Sequence, residues 1–182
     1  KERLLKGNWD YDDNPYALCE YEDIISIYEN DHLNKDEAGE KIKGLEKYIT
    51  ADIARFGSDA ARIGVWEGWD LIEVLSFDIS KTTEIQAAID VLRAKHQIPK
   101  HNCIADEDGV GGGVVDFLRC KGFVNGSRAL KEMIGDVYII PNYQNLRSQC
   151  GFKMAEKIQN REVGEMLVDE SVMDVVSEEM EQ

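Results

Sequence analysis

From Lys47 onward the chain alternates apolar and polar positions in short runs bounded by turn residues, the signature of strands with one buried face. Tyr48 to Ile53, Ala60 to Glu67 and Leu71 to Ile79 form three such runs. The links between them, Phe56-Gly57-Ser58-Asp59 and Gly68-Trp69-Asp70, are short, so the three strands are expected to form an antiparallel meander. The period then changes. Between Thr83 and His96 the apolar residues Ile85, Ala88, Ile89 and Leu92 recur at helical spacing, and Pro99 follows. Beyond that point the pattern predicts a strand at Cys103 to Ala105 and a helix from Gly113 to Lys121. It then predicts a strand from Val137 to Ile140 stopped by Pro141, a helix from Leu146 to Asn160, and a last helix from about Ser171. Strand and helix in the order βββαβαβα define a mixed α/β fold: a meander followed by βα units, flanked by helices.

Ahead of this lies a segment of different character. Gly7 to Pro15 is rich in turn residues and reads as an extended arm, Asp23 to Glu29 as a short helix, and Asn30 to Gly44 as an exposed polar loop or loose helix. Residues 1–45 are therefore expected to be an arm, a short helix and a polar excursion, and residues 46–182 one α/β domain. No apolar run approaches the roughly 20 residues of a membrane span. Lys1 to Lys6 lacks the pattern of a signal peptide, and the absence of an initiator Met suggests a piece of a longer polypeptide.

The net charge of −15 argues against a polyanion partner until its distribution is considered. Residues 119–161 hold eight basic residues against three acidic ones, a net of +5, whereas residues 162–182 hold eight acids and no base. A basic stretch beside an acidic tail is compatible with a nucleic-acid face on an acidic body. Solvated helix faces would produce the same pattern. The cysteines, at 19, 103, 120 and 150, form no C-x-x-C pair and keep no ligand spacing with the histidines, so free thiols are expected.

Two predicted strands end in acids. Asp52 closes Tyr48-Ile49-Thr50-Ala51, and Asp106 closes Cys103-Ile104-Ala105; Asp59 and Asp108 are accessory acids close behind them. Carboxylates delivered to the rim of an open sheet can hold hard divalent cations, as metal-dependent phosphodiester hydrolysis requires. The glycines from Gly109 to Gly113 do not form a phosphate-cradling P-loop, which needs a following Gly-Lys-Ser/Thr. Nor do they follow the first strand of a dinucleotide-binding unit or keep the acid spacing of a calcium loop. They permit a tight turn in which a helix starts close to Asp106. Along the helix from Leu146, the basic residues Arg147, Lys153, Lys157 and Arg161 can grip phosphates without reading sequence, or simply form a solvated face.

Taken in order, Gly7-Asn8-Trp9, Asp52-Ile53-Ala54-Arg55-x-Gly57-x-Asp59, Asp106 to Val114 and Asn145-Leu146-Arg147-Ser148-Gln149-Cys150 resemble the C-terminal nuclease domain of tailed-bacteriophage or prophage terminase large subunits. The resemblance implies a ribonuclease H-like fold in which an acid on the first strand meets one after the fourth. It implies a metal-dependent endonuclease using a two-metal Mg²⁺ or Mn²⁺ site to cleave concatemeric double-stranded viral DNA during packaging. Carried over, Asp52 and Asp106 are the catalytic metal ligands. The implied partners are double-stranded DNA, an N-terminal packaging ATPase domain on the same polypeptide, the portal and the small terminase subunit, in the cytoplasm of the bacterial host. No Walker A loop is present for that ATPase. The family's third acid lies in an Asp-Tyr-Ala-Asp-like stretch that this sequence lacks; Asp169, Asp174 and Glu178 are local substitutes without that context. The third ligand is therefore expected beyond Gln182, and cleavage by these 182 residues is expected to be weak or absent. Two other readings remain open: another ribonuclease H-like nuclease of resolvase or transposase type, and a non-catalytic domain that docks on a portal or partner.

Overall fold

The computed structural model describes residues 18–29, 35–40, 42–53, 60–78, 81–108 and 111–163. The predicted arm at Gly7 to Pro15 and the helix from Ser171 lie outside these residues. A short helix, α1 (Tyr21–Ser26), leads into the meander β1 (Lys47–Asp52), β2 (Ala61–Glu67) and β3 (Asp70–Phe77). Between them, the described residues from 35 to 46 form no helix; Asp36 organises a turn there by accepting from Ala38 N and Glu40 N. β1 and β2 pair antiparallel from Lys47↔Glu67 to Asp52↔Arg62. β2 and β3 do the same, with a bulge at Val65/Trp66 and a tight turn at Gly68, whose φ of 62° suits glycine.

The chain then crosses over the sheet. Helix α2 (Thr82–His96) ends at Gln97 in a left-handed conformation and delivers β4 (Cys103–Asp106), which pairs parallel with β1 rather than with its sequence neighbour β3. Helix α3 (Gly112–Leu118) carries the chain to β5 (Lys121–Phe123), parallel to β4. The result is a five-stranded sheet in the order β3-β2-β1-β4-β5. This is the mixed, helix-flanked sheet expected of a ribonuclease H-like fold.

Two parts of the expected layout need correction. The fifth strand of the sheet is Lys121–Phe123, and the helix expected to reach Lys121 stops at Leu118, where Arg119 turns left-handed at φ 52°. An edge strand of three residues, Lys-Gly-Phe, carries no periodicity of its own; pairing with β4 makes it a strand. The run from Val137 is indeed extended, but β7 (Val137–Ile139) pairs with β6 (Glu132–Ile134) in a separate hairpin. Helix α4 (Leu146–Gln159) starts at Asn145, whose side chain accepts from Ser148 N at 2.8 Å.

Both faces of the sheet are covered. On one, Ile49, Ala51, Ile63, Val65, Cys103 and Ala105 pack against Ile85, Ile89 and Leu92 of α2 and Val114 and Leu118 of α3. On the other, Leu71 packs with Ile24 and Ile27 of the α1 segment, Ile158 of α4 and Val163. Polar ties reinforce the first layer. Lys95 Nζ donates to both oxygens of Glu73 at 2.8 and 2.7 Å, and His96 Nε2 lies 2.6 Å from the same carboxylate, joining α2 to β3.

Hydrogen bonds from Lys95 and His96 hold the Glu73 carboxyl below its ordinary value. A lowered folded-state value means the stabilisation is complete above the unfolded value, about 4.3, and is lost as pH falls through the folded one. Glu73→Gln is therefore expected to cost about 1 kcal/mol at neutral pH, because Lys95 is largely exposed. The difference from wild type should begin to shrink as pH falls past about 4.3 and vanish only at a pH below the lowered folded value. Urea midpoints at the two pH values measure it.

A candidate metal centre at the rim of the sheet

Alternation along two strands decides where the acids go. In β1, Ile49 and Ala51 are buried in the core, so Thr50 and Asp52 leave from the opposite face. In β4, Cys103 and Ala105 are buried and Ile104 and Asp106 leave from that same opposite face. The two strands run parallel in the register Ile49↔Cys103, Thr50↔Ile104 and Ala51↔Ala105. The next step along both strands sets Asp52 beside Asp106. Neighbouring strands lie about 4.8 Å apart, so these two carboxylates, 54 residues apart in sequence, share one level of one face. On its other side Asp52 has Arg62 as its cross-strand partner in β2.

Asp52 is exposed and Asp106 half-buried, so the pair is reachable from solvent. The loop behind Asp106 fixes its carboxylate. Asp106 Oδ1 accepts from Asp108 N at 3.0 Å, while Oδ2 has no hydrogen-bond partner among the described residues. Asp108 Oδ2 in turn accepts from Asn125 N at 3.0 Å and Asn125 Nδ2 at 2.8 Å, which anchors the loop to the segment after β5. Gly111 explains how α3 starts so close. A Cβ built there would collide with the carbonyl oxygen of Asp106, and that backbone atom cannot swing aside. The glycine-rich stretch therefore does what its composition promises: it lets a helix begin against the strand that carries the acid.

Two hard oxygen donors side by side fit a hard divalent cation and suit softer metals poorly. Among the described residues no group of three or more His, Cys, Asp or Glu gathers into a fuller ligand set. Cys103, three residues before Asp106, is no substitute: burial pushes its thiol up to about 11, so it is a core residue. All four cysteines are free. A cleft of about 440 Å³ between Lys47, His96 and Asn102 opens near the start of β1, the end of the strand away from Asp52.

Of the accessory acids, Asp108 sits at the rim but is engaged by Asn125, and Asp59 lies outside the described residues. The four basic positions of α4 do not form one cluster. Arg147 N donates to Asn125 O, which places the first turn of α4 against the segment that holds Asp108. Lys153 pairs with Glu132 at 3.2 Å and Glu156 at 3.5 Å. Lys157 pairs with Glu162 at 3.0 Å and lies 4.8 Å from the ring centroid of Trp69, in the turn at the far end of β2. Ten residues of helix separate Arg147 from Lys157, about 15 Å, so of these two only Arg147 lies at the end of α4 tied to Asn125, the residue that holds Asp108. Arg161 is exposed beyond the helix end.

Sequence reasoning passes over Arg62 and Asn125. The period-two pattern of β2 is a signal for Arg62, since it faces away from Ile63. The Asn125-Gly126 dipeptide is a visible turn signal, but its contact with Asp108 is tertiary.

An open sheet of three antiparallel and two parallel strands, with an acid at the end of its first strand and another at the end of its fourth, has the layout of a ribonuclease H-like fold. Among solved structures, the chain is similar to the nuclease domain of the large terminase subunit gp2 of bacterial virus Sf6. The TM-score is 0.73 at 17% identity, covering 91% of this chain and 81% of that one. A variant of that domain with manganese and beta-thujaplicinol gives 0.72 at 17% identity with the same coverage. The large terminase nuclease from thermophilic phage G20c gives 0.52 at 12% identity, covering 75% of this chain and 63% of that one. Neither a protein-family model nor a curated protein matches the chain.

Proposed function

We propose that the chain is the nuclease domain of a tailed-phage or prophage terminase large subunit, a metal-dependent endonuclease that cuts concatemeric double-stranded DNA during genome packaging. The observation that carries this reading is the parallel register of β1 and β4, paired as far as Ala51↔Ala105, which makes Asp52 and Asp106 the next residues along two adjacent strands. Likeness to terminase nuclease domains over 91% of the chain supports it, as does the match of motifs in sequence order.

In this reading Asp52 and Asp106 hold Mg²⁺ or Mn²⁺, with Asp59 as an accessory acid. The bound ions supply the positive charge that phosphodiester hydrolysis needs at its attacking and departing oxygens. The remaining work belongs to the protein. Asp108, tied to Asn125, keeps the Asp106 loop in one shape. Gly111 lets the backbone close up behind it. Arg147 takes a phosphate beside the acids, while Lys153, Lys157 and Arg161 add to the field along the helix without meeting the same phosphate. The partners follow from the same reading: double-stranded DNA, a packaging ATPase domain on the same polypeptide, and the portal and small subunit, in the host cytoplasm. No helix among the described residues is long and apolar enough to cross a membrane.

Titration calorimetry with Mn²⁺, paired with nicking of supercoiled plasmid, tests the proposal. Saturable Mn²⁺ binding is expected, with plasmid nicking weak or absent and any nicking abolished by EDTA. A chain that binds no Mn²⁺ removes the metal centre and the nuclease reading with it.

A further inference from the structure

A single row of residues crosses the sheet at the level of the acids. Ser76 of β3 pairs with Arg62 of β2, Arg62 pairs with Asp52 of β1, and Asp106 of β4 pairs with Phe123 of β5. Asp52 and Asp106 are the next residues along β1 and β4 after the paired Ala51 and Ala105. The row runs polar, positive, negative, negative, apolar. Arg62 therefore flanks Asp52 on the side away from Asp106.

Burial fixes the face. Ala61 and Ile63 are fully buried in the core, so Arg62 between them leaves from the face that carries Asp52. Directly opposed residues of an antiparallel pair have their Cβ atoms about 5 Å apart, within reach of a guanidinium for a carboxylate. Arg62 is half-buried and Asp52 exposed. The next row inward on this face, Val74, Gly64, Thr50 and Ile104, is uncharged. There Gly64 leaves room for the indole of Trp66, which donates to Thr50 Oγ1 at 2.9 Å. Arg147 is tied to Asn125, beyond β5 and so on the other side of Asp106. Arg62 is thus the only basic residue in these two rows, and it stands against one acid of the pair.

Charge gives that position a consequence. Two carboxylates on one level repel each other, and a cation beside Asp52 offsets the repulsion in the metal-free protein. The same cation opposes the arrival of another. Two carboxylates balance one divalent ion, so with Arg62 beside them the loaded centre holds a surplus positive charge.

We propose that Arg62 is the resident counter-cation of the acid pair. It offsets the charge of Asp52 in the metal-free protein and competes with the divalent ion for it, which raises the metal concentration at which the centre fills. Arg62 acts through Asp52, as a positioning residue and not a catalytic one. This rests on the nuclease reading above and adds a control on the same site.

The test is Mn²⁺ titration calorimetry on the whole chain at about 0.05 M salt, where exposed charges are weakly screened. Arg62→Met and Arg62→Gln remove the charge; Arg62→Lys keeps it. Both neutral variants are expected to bind Mn²⁺ about tenfold tighter than wild type. A unit charge within about 7 Å of a divalent ion changes affinity by roughly that factor even at the dielectric of water. Arg62→Lys should stay within about threefold of wild type, and the gain in the neutral variants should shrink at about 0.5 M salt. A merely structural role would produce neither the rescue by lysine nor the salt dependence. Unchanged or weaker Mn²⁺ binding in the neutral variants overturns the proposal and leaves the metal centre standing. An equal gain in Arg62→Lys, or one indifferent to salt, also overturns it, because charge would then not be the cause. Absence of Mn²⁺ binding by wild type and neutral variants alike removes the metal centre and this proposal together.

Discussion

Asp106→Asn is expected to abolish Mn²⁺ binding measurable by calorimetry while leaving the fold as stable as wild type. The substitution keeps the shape of the side chain and the oxygen that accepts from Asp108 N, so the loop behind it should persist. What it removes is the negative charge beside Asp52. Partners that merely orient metal ligands already change affinity 10–100-fold when altered, so loss of a charged ligand is expected to cost at least about 100-fold. Asp52→Asn should behave alike, because the two carboxylates share one level of one face.

A thermal readout separates this role from a structural one. A ligand that binds only the folded state at 100 times its Kd stabilises by about 2.7 kcal/mol, which gives wild type a clear upward shift with Mn²⁺. Neither variant should shift. If Asp106 were an ordinary surface acid, both variants would keep the wild-type shift, and the metal centre would be rejected.

The second large effect concerns a residue with no side chain. Gly111→Val is expected to destabilise the protein by about 3 kcal/mol, at the upper end for overpacking, because the new carbons meet the Asp106 carbonyl instead of a movable side chain. Relief requires α3 to move away from β4, which disturbs the strand end that carries Asp106, so Mn²⁺ affinity should fall along with the urea midpoint. Gly113→Ala provides the control. It lies two residues further on, within α3, with nothing within 4 Å of a built Cβ. Helix propensity should make that change neutral or stabilising by up to about 1 kcal/mol. Equal loss at both positions would show that helix propensity, and not close approach to Asp106, explains the glycines.

Elements that follow their own periodicity are legible in the amino-acid sequence alone. The meander, the helix before Pro99 and the helix from Leu146 occur within a residue or two of their expected bounds. Each carries its own pattern: alternation in Ile49, Ala51 and Ile63, and helical spacing in Ile85, Ile89 and Leu92. Lys121–Phe123 escapes a sequence reading for the opposite reason. It has no pattern to read, and it is extended because β4 offers it a free edge. The run at Val137 is recognisably extended, yet its place in a separate hairpin is not, because local β character does not name a partner. Among the basic residues of α4, spacing along the helix does not reveal that Lys157 reaches Trp69 while Arg147 stands by Asn125.

By itself, the sequence determined that strands beginning at Lys47 and Cys103 would each bury every second residue and end in an acid, and that glycines would let a helix follow the second of them closely. Those properties are local, set by backbone period and by the absence of a side chain at Gly111. Only the tertiary structure decided that β4 would cross over β3 and β2 to lie parallel to β1 in the register that sets Asp52 beside Asp106, and that the Met133–Tyr138 ribbon would stand clear of the core. Register depends on how the buried faces of two distant strands fit the same helices, a condition that no short stretch of chain contains.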